Sequence, residues 1–108
     1  MKLLTAELRK QIPALYSQEK ADPVLAHAKF FCPWSNWTWF ATEGSEQDGD
    51  FLFFGYVIGH EEEWGYFLLS ELEEVRGPGG LTIERDLYFR TGPFPEVIAK
   101  FRKERGGQ

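Results

Sequence analysis

The stretch Phe51-Leu52-Phe53-Phe54-Gly55-Tyr56-Val57-Ile58-Gly59 decides the fold. Its odd positions (Phe51, Phe53, Val57) and its even positions (Leu52, Phe54, Tyr56, Ile58) are both apolar. Successive side chains of an extended chain point to opposite faces, so neither face of a strand here can meet water. Such a strand belongs in the middle of a sheet with cover on each side. Gly59 ends it, and Gly55 predicts a bulge or a close backbone approach.

Working outward, Trp37-Thr38-Trp39-Phe40-Ala41-Thr42 alternates aromatic and β-branched residues at period two, the pattern of a preceding strand. Glu43 to Asp50 is a polar turn between the two. Val24 to Cys32 alternates as well, with Ala26, Ala28, Phe30 and Cys32 on one side, and Pro33 to Asn36 connects it onward. After the turn Gly59 to Glu63, Trp64 to Leu69 makes a fourth strand of an antiparallel meander. Ser70-Glu71-Leu72-Glu73 fits a capping box with Ser70 at the cap, opening a short helix that Gly77-Pro78-Gly79-Gly80 stops. Leu81 to Phe89 is predicted as a fifth strand.

At the start, Thr5 can cap a helix carrying Leu8, Ile12 and Leu15 on one face, although Pro13 disfavours its last turn. At the end, Pro95 opens a helix with Val97, Ile98 and Phe101 inward and Lys100, Arg102, Lys103 and Arg105 near its C-terminus. The expected architecture is a single α+β domain over 1–108. Its sheet is five-stranded and mostly antiparallel, a four-strand meander plus a fifth strand. An N-terminal helix, a short middle helix and a C-terminal helix are expected to cover one face. Helices this short leave part of the central strand to meet a curled sheet, a second subunit in a homodimer, or a partner.

The chain of 108 residues is long enough for one core, and its 43% hydrophobic and 27% charged content is that of a globular domain. Cys32 is the single cysteine, so an intrachain disulfide is excluded. The start has no apolar segment of signal-peptide length, and no run approaches a membrane span, so a cytoplasmic location with no membrane partner is expected.

Several blocks look familiar together. Lys29-Phe30-Phe31 with Pro33, Ser35-Asn36-Trp37-Thr38-Trp39, and Phe54 to Gly59 form one part. Gly65-Tyr66-Phe67 with Leu69-Ser70-Glu71-Leu72, and Ile83-Glu84-Arg85-Asp86-Leu87-Tyr88-Phe89, form another. With the Met-Lys-Leu-Leu-Thr opening, they resemble an uncharacterised bacterial domain-of-unknown-function family met on plasmids, conjugative elements and phage-like islands. The resemblance runs to Phe89 and implies accessory functions of mobile DNA, including counter-defence of the anti-restriction or anti-CRISPR kind. It carries over no catalytic residues.

The net charge of −5 is unevenly placed. Between Phe30 and Val75 stand ten acids (Glu43, Glu46, Asp48, Asp50, Glu61, Glu62, Glu63, Glu71, Glu73, Glu74) and no Lys or Arg, whereas both flanks are basic. These acids fall in the meander turns and the short helix, so several are expected to share one end of the sheet. Clustered like charge steers a partner of opposite sign. The expected binding residues for a protein with a basic surface are therefore Glu46, Asp48, Asp50, Glu61, Glu62 and Glu63. Trp34, in a turn, is added as an exposed anchor.

Arg85 on an otherwise apolar strand face needs a carboxylate, and Glu71 or Glu73 is the expected one, as an ion pair or as part of a small-ligand or enzyme site. Lys100, Arg102, Lys103 and Arg105 form the only basic cluster and carry the alternative of nucleic-acid binding. No Ser-His-Asp set, phosphate loop or metal-ligand spacing is present, so neither a catalytic residue, nor a metal, nor a cofactor is assigned. The leading expectation is a small non-enzymatic accessory protein that binds a protein partner through an acidic, aromatic-rich surface.

Overall fold

The alternating apolar strands build an antiparallel sheet in the computed structural model, which describes residues 1–106. The chain runs through helix α1 (Ala6–Gln11) and strands β1 (Leu25–Ala26), β2 (Ala28–Phe31), β3 (Thr38–Gln47), β4 (Asp50–Ile58) and β5 (Glu62–Leu68). Helix α2 (Leu69–Glu74), strands β6 (Glu84–Arg85) and β7 (Gly92–Pro93), and helix α3 (Phe94–Gly106) follow. The main sheet has the order β5-β4-β3-β2-β6, with every neighbour antiparallel, and β1 pairs with β7 in a small separate ribbon. The α+β class, the four-strand meander and the three helices are as the sequence predicts. The middle position, however, belongs to β3, and β4 lies one place from the edge.

The sheet is covered on both faces, not on one. On the first face Phe30, Trp39, Phe51, Phe53 and Phe67 are buried beneath Leu3, Leu4, Ile12, Leu72 and Ile83. Phe53 stacks on Phe67 with ring centres 5.1 Å apart. On the second face Phe40 is fully buried and receives Phe94 and Phe101 of α3 edge-on at 6.4 and 5.4 Å. Each such phenylalanine contributes about 1.5–3 kcal/mol by leaving water, which explains why short helices suffice to hold the layers.

The strand expected over Val24 to Cys32 is split at His27 into β1 and β2, β5 begins at Glu62 inside the expected turn, and four further boundaries differ, each for a local reason. Helix α1 stops at Gln11, with Ile12 already extended because Pro13 follows it, so Leu15 is not helical. The acidic segment from Glu43 is strand up to Gln47, and the turn tightens to Asp48-Gly49, both at positive φ. The cap of α2 is Leu68, and Glu71 closes the helix start by accepting its N–H at 2.8 Å. Ser70 is thereby freed to donate its hydroxyl to Asp50. The fifth strand shrinks to Glu84–Arg85, because Asp86 accepts the Tyr88 N–H at 2.9 Å and turns the chain.

The close approach expected at Gly55 is present. The pairing of β3 with β4 passes from Ala41–Gly55 to Glu43–Phe54, so Thr42 is an extra residue, a β-bulge. A β-carbon on Gly55 would stand 1.8 Å from the Phe40 carbonyl oxygen, whereas one on Gly65, its neighbour in β5, would meet nothing within 4 Å. Gly55→Ala is therefore expected to cost about 3 kcal/mol or more in denaturant unfolding, because backbone must move. Gly65→Ala is expected to stabilise by about 0.5 kcal/mol, through the unfolded chain it restricts.

Candidate functional site

The bulge at Thr42 reverses the alternation of β3, and this decides where Glu43 points. Without the extra residue Glu43 would share the sealed face with Trp39 and Ala41. With it, Glu43 lies opposite Phe54 on the second face. There it is only 5% exposed, and its two carboxylate oxygens accept the backbone N–H groups of Tyr16 and Gln18, each at 2.8 Å. Gln18 extends the tie, donating to the carbonyls of Leu25 and Thr42 and accepting the Leu25 N–H. Ser45 accepts the Leu15 N–H, and Gly44 donates to the Pro13 carbonyl. The segment from Pro13 to Gln18 is thus pinned along β3. Tyr16 sits at φ 71°, a left-handed conformation that this pinning maintains.

The pinned segment raises one wall of a cleft of about 360 Å³ on the second face. Tyr16, Trp64 and Tyr66 are 61%, 43% and 52% exposed, with Phe54 half-buried between them. Phe54 lies 5.9 Å from Trp64, stacked, and 4.9 Å from Tyr66. The Tyr66 and Tyr16 hydroxyls approach to 3.4 Å. The Tyr66 hydroxyl is held above the ordinary tyrosine range by that hydrogen bond, then by burial and by the negative charge around it, including Glu43 and Glu19. Helix α3 covers the rest of this face, Phe94 touching both Trp64 and Tyr56. It does not reach the outer rim, where β5 is an edge strand.

The acids named from sequence do not form one patch. Glu46, Asp48 and Asp50 lie at the β3–β4 turn, and α2 with Glu71 and Glu73 adjoins that end through the Ser70–Asp50 contact. Glu61, Glu62 and Glu63 lie at the other end of β4, nine residues or roughly 30 Å away. Several are also engaged. Glu46 pairs with Arg9 at 3.0 Å, and Glu62 pairs with Arg102 at 2.7 Å. Asp50 is held below its ordinary range by Ser70 and by the Phe51 N–H. Glu62 is held low by Arg102 and by the Tyr56 hydroxyl. Trp34 is half-buried, lying over Gly77, whose added β-carbon would come within 2.5 Å of the indole. The exposed tryptophan is Trp64.

The expected pairing of Arg85 with Glu71 or Glu73 does not form. Strand β6 is at one edge of the sheet, whereas α2 follows β5 at the other, four strand spacings or roughly 19 Å apart. Arg85 instead donates to the carbonyls of Lys2 and Leu3 at 3.1 and 3.0 Å, fastening the N-terminal segment. It borders a cleft of about 480 Å³ with His27, Glu7 and Arg90. Burial holds His27 below its ordinary range, so it is neutral near pH 7. In α3, Arg102 is paired with Glu62, and Arg105 donates to the Asn36 carbonyl and lies over Phe101, whereas Lys100 and Lys103 form no ion pair among the described residues. Among the described residues no group of three or more His, Cys, Asp or Glu side chains is placed to hold a metal. No helix among them is long and apolar enough to cross a membrane.

The residues that sequence reasoning missed are Glu43, Gln18, Tyr16, Trp64 and Tyr66. Trp64 and Tyr66 were legible as one face of β5 at period two, but their exposure depends on how far α3 extends. Glu43→Gln replaces one acceptor oxygen by a donor that faces a backbone N–H. It is expected to destabilise the protein by about 1–3 kcal/mol and to speed hydrogen exchange at the amides of Tyr16 and Gln18.

The model of the family described as "Protein of unknown function (DUF2958)" matches residues 2–105, and the chain belongs to that family. No curated protein and no solved structure matches it.

Proposed function

For this member of a family of unknown function, we propose a protein-binding role: a basic partner docks on the outer rim of the second face. The observation that supports this reading is the exposure of Tyr16, Trp64 and Tyr66 together beside Glu43 and Glu19. Aromatic side chains that offer large area with few rotatable bonds are the usual anchors of such surfaces, and carboxylates around them select a partner of positive charge. The net charge of −5 favours the same partner at longer range.

The resemblance of the sequence blocks to a family met on plasmids, conjugative elements and phage-like islands supports an accessory role in mobile DNA. In that setting a nucleic-acid-handling enzyme of the host is a partner with a basic surface, and occupying that surface is a counter-defence. A cytoplasmic location follows from the same reading.

Capture of the partner from the native host with the tagged full chain tests it. Retention is expected to weaken steeply with salt and to be lost in the Trp64→Ala/Tyr66→Ala double variant. Retention that ignores both salt and these two residues contradicts the reading.

A second reading is favoured by the cleft beside β6, where Arg85 and Arg90 stand near His27. The two guanidinium groups, with the neutral His27 beside them, suit a small anion such as a carboxylate or phosphate. Titration with inorganic phosphate, followed by NMR at the Arg85 and Arg90 side chains, is expected to give saturable shifts that Arg90→Ala removes. Unchanged spectra exclude this site.

A further inference from the structure

Resting on the partner-binding reading, we infer that the cleft between Tyr16, Trp64 and Tyr66 is a socket for one arginine side chain of the partner, with Glu43 as its carboxylate end. Three observations converge on this occupant. The walls are aromatic faces, against which a planar guanidinium stacks with attraction from the ring quadrupole. The inner end is the Glu43 carboxylate, whose oxygens each accept one backbone N–H and retain a second lone pair. A guanidinium N–H can donate to an oxygen left in this way, as a charge-assisted hydrogen bond. Among the described residues no Lys or Arg lines the cleft, and none forms an ion pair with Glu43 or Glu19.

The protein builds the same combination elsewhere with its own residues. The Arg9 guanidinium lies 5.0 Å over the Phe51 ring while bonding the Glu46 carboxylate at 3.0 Å. In the cleft the ring and the carboxylate are present and the guanidinium is not. The rigid parts favour a socket over a general sticky surface. Glu43 is fixed by the pinned segment, Phe54 and Trp64 are stacked, and Tyr66 touches Tyr16. A guest thus meets walls already in place, which lowers the ordering cost of binding. Arginine is chosen over lysine because a planar guanidinium can stack on an aromatic wall while it donates to the carboxylate, and a compact ammonium cannot.

The test uses the full chain and three short capped peptides, identical except for a central arginine, lysine or citrulline. Citrulline has the shape of arginine without its charge. The arginine peptide is expected to shift the Trp64 indole and the Tyr16 and Tyr66 ring signals saturably in NMR. The lysine peptide is expected to bind more weakly, and the citrulline peptide not to bind. Trp64→Ala and Tyr66→Ala, both at exposed positions, are expected to weaken the arginine peptide by about tenfold. Their amide spectra report whether the fold is kept, and Glu19→Gln, at the lip, provides a milder loss without touching the buried tie.

Equal binding of arginine and citrulline peptides overturns the charge recognition. Equal binding of lysine overturns the guanidinium assignment, and no shift at Trp64 overturns the socket. If the peptides fail while the double variant still abolishes partner capture, the socket falls and the partner-binding reading stands. If the arginine peptide binds but capture ignores Trp64 and Tyr66, the reverse holds.

Discussion

The extra residue at Thr42, opposite Gly55, is the constraint on which the rest of the molecule depends. The sheet needs a tight contact there, since the Phe40 carbonyl comes closer to Gly55 than any side chain would permit. The bulge that accompanies this contact moves every later residue of β3 to the other face. Gly44 is thereby turned to the sealed side, where only a glycine leaves room for the Phe51 ring. Glu43 is turned to the second side, where it holds the segment around Tyr16. One local irregularity thus sets both the packing of the core and the shape of the cleft.

The two faces of the sheet meet different solutions to the same problem. A strand apolar on both sides has to be covered twice, and three short helices have limited area. The N-terminal segment, α1 and α2 seal the first face, so that Phe51 and Phe53 are buried. On the second face α3 reaches Phe40, Tyr56 and Trp64 and goes no further. Beyond it Tyr66, part of Trp64 and Tyr16 are left against water. The energetic cost of that exposure supports the proposed docking of a partner on the rim, while Glu62 and Glu63 on the edge strand discourage indiscriminate strand pairing.

Much of the fold was legible because it rests on short-range patterns. The doubly apolar run at Phe51, the alternation of Trp37 to Thr42, the Thr5 cap and the glycines after Arg76 each act within a few residues. Legibility failed where the deciding contact is distant. Glu43 looks like the first residue of a polar turn until the bulge aims it at backbone groups 25 and 27 residues earlier. Arg85 looks as if it needs a carboxylate, yet two carbonyls of the N-terminal segment serve it. Trp34 looks exposed in a turn, but Gly77 provides the flat surface on which it lies.

By itself, the sequence determined the class of fold, the meander, the three helices and an excess of negative charge in the middle of the chain. Those features follow from side-chain periodicity, from capping and turn chemistry, and from composition, none of which requires knowing what lies across the sheet. Only the tertiary structure decided which face is sealed and that a buried carboxylate and three exposed rings share one cleft. The reason is physical: strand order, the bulge register and the reach of α3 are set by contacts between residues far apart in the chain. A one-residue shift in that register would send the same side chains to the opposite face.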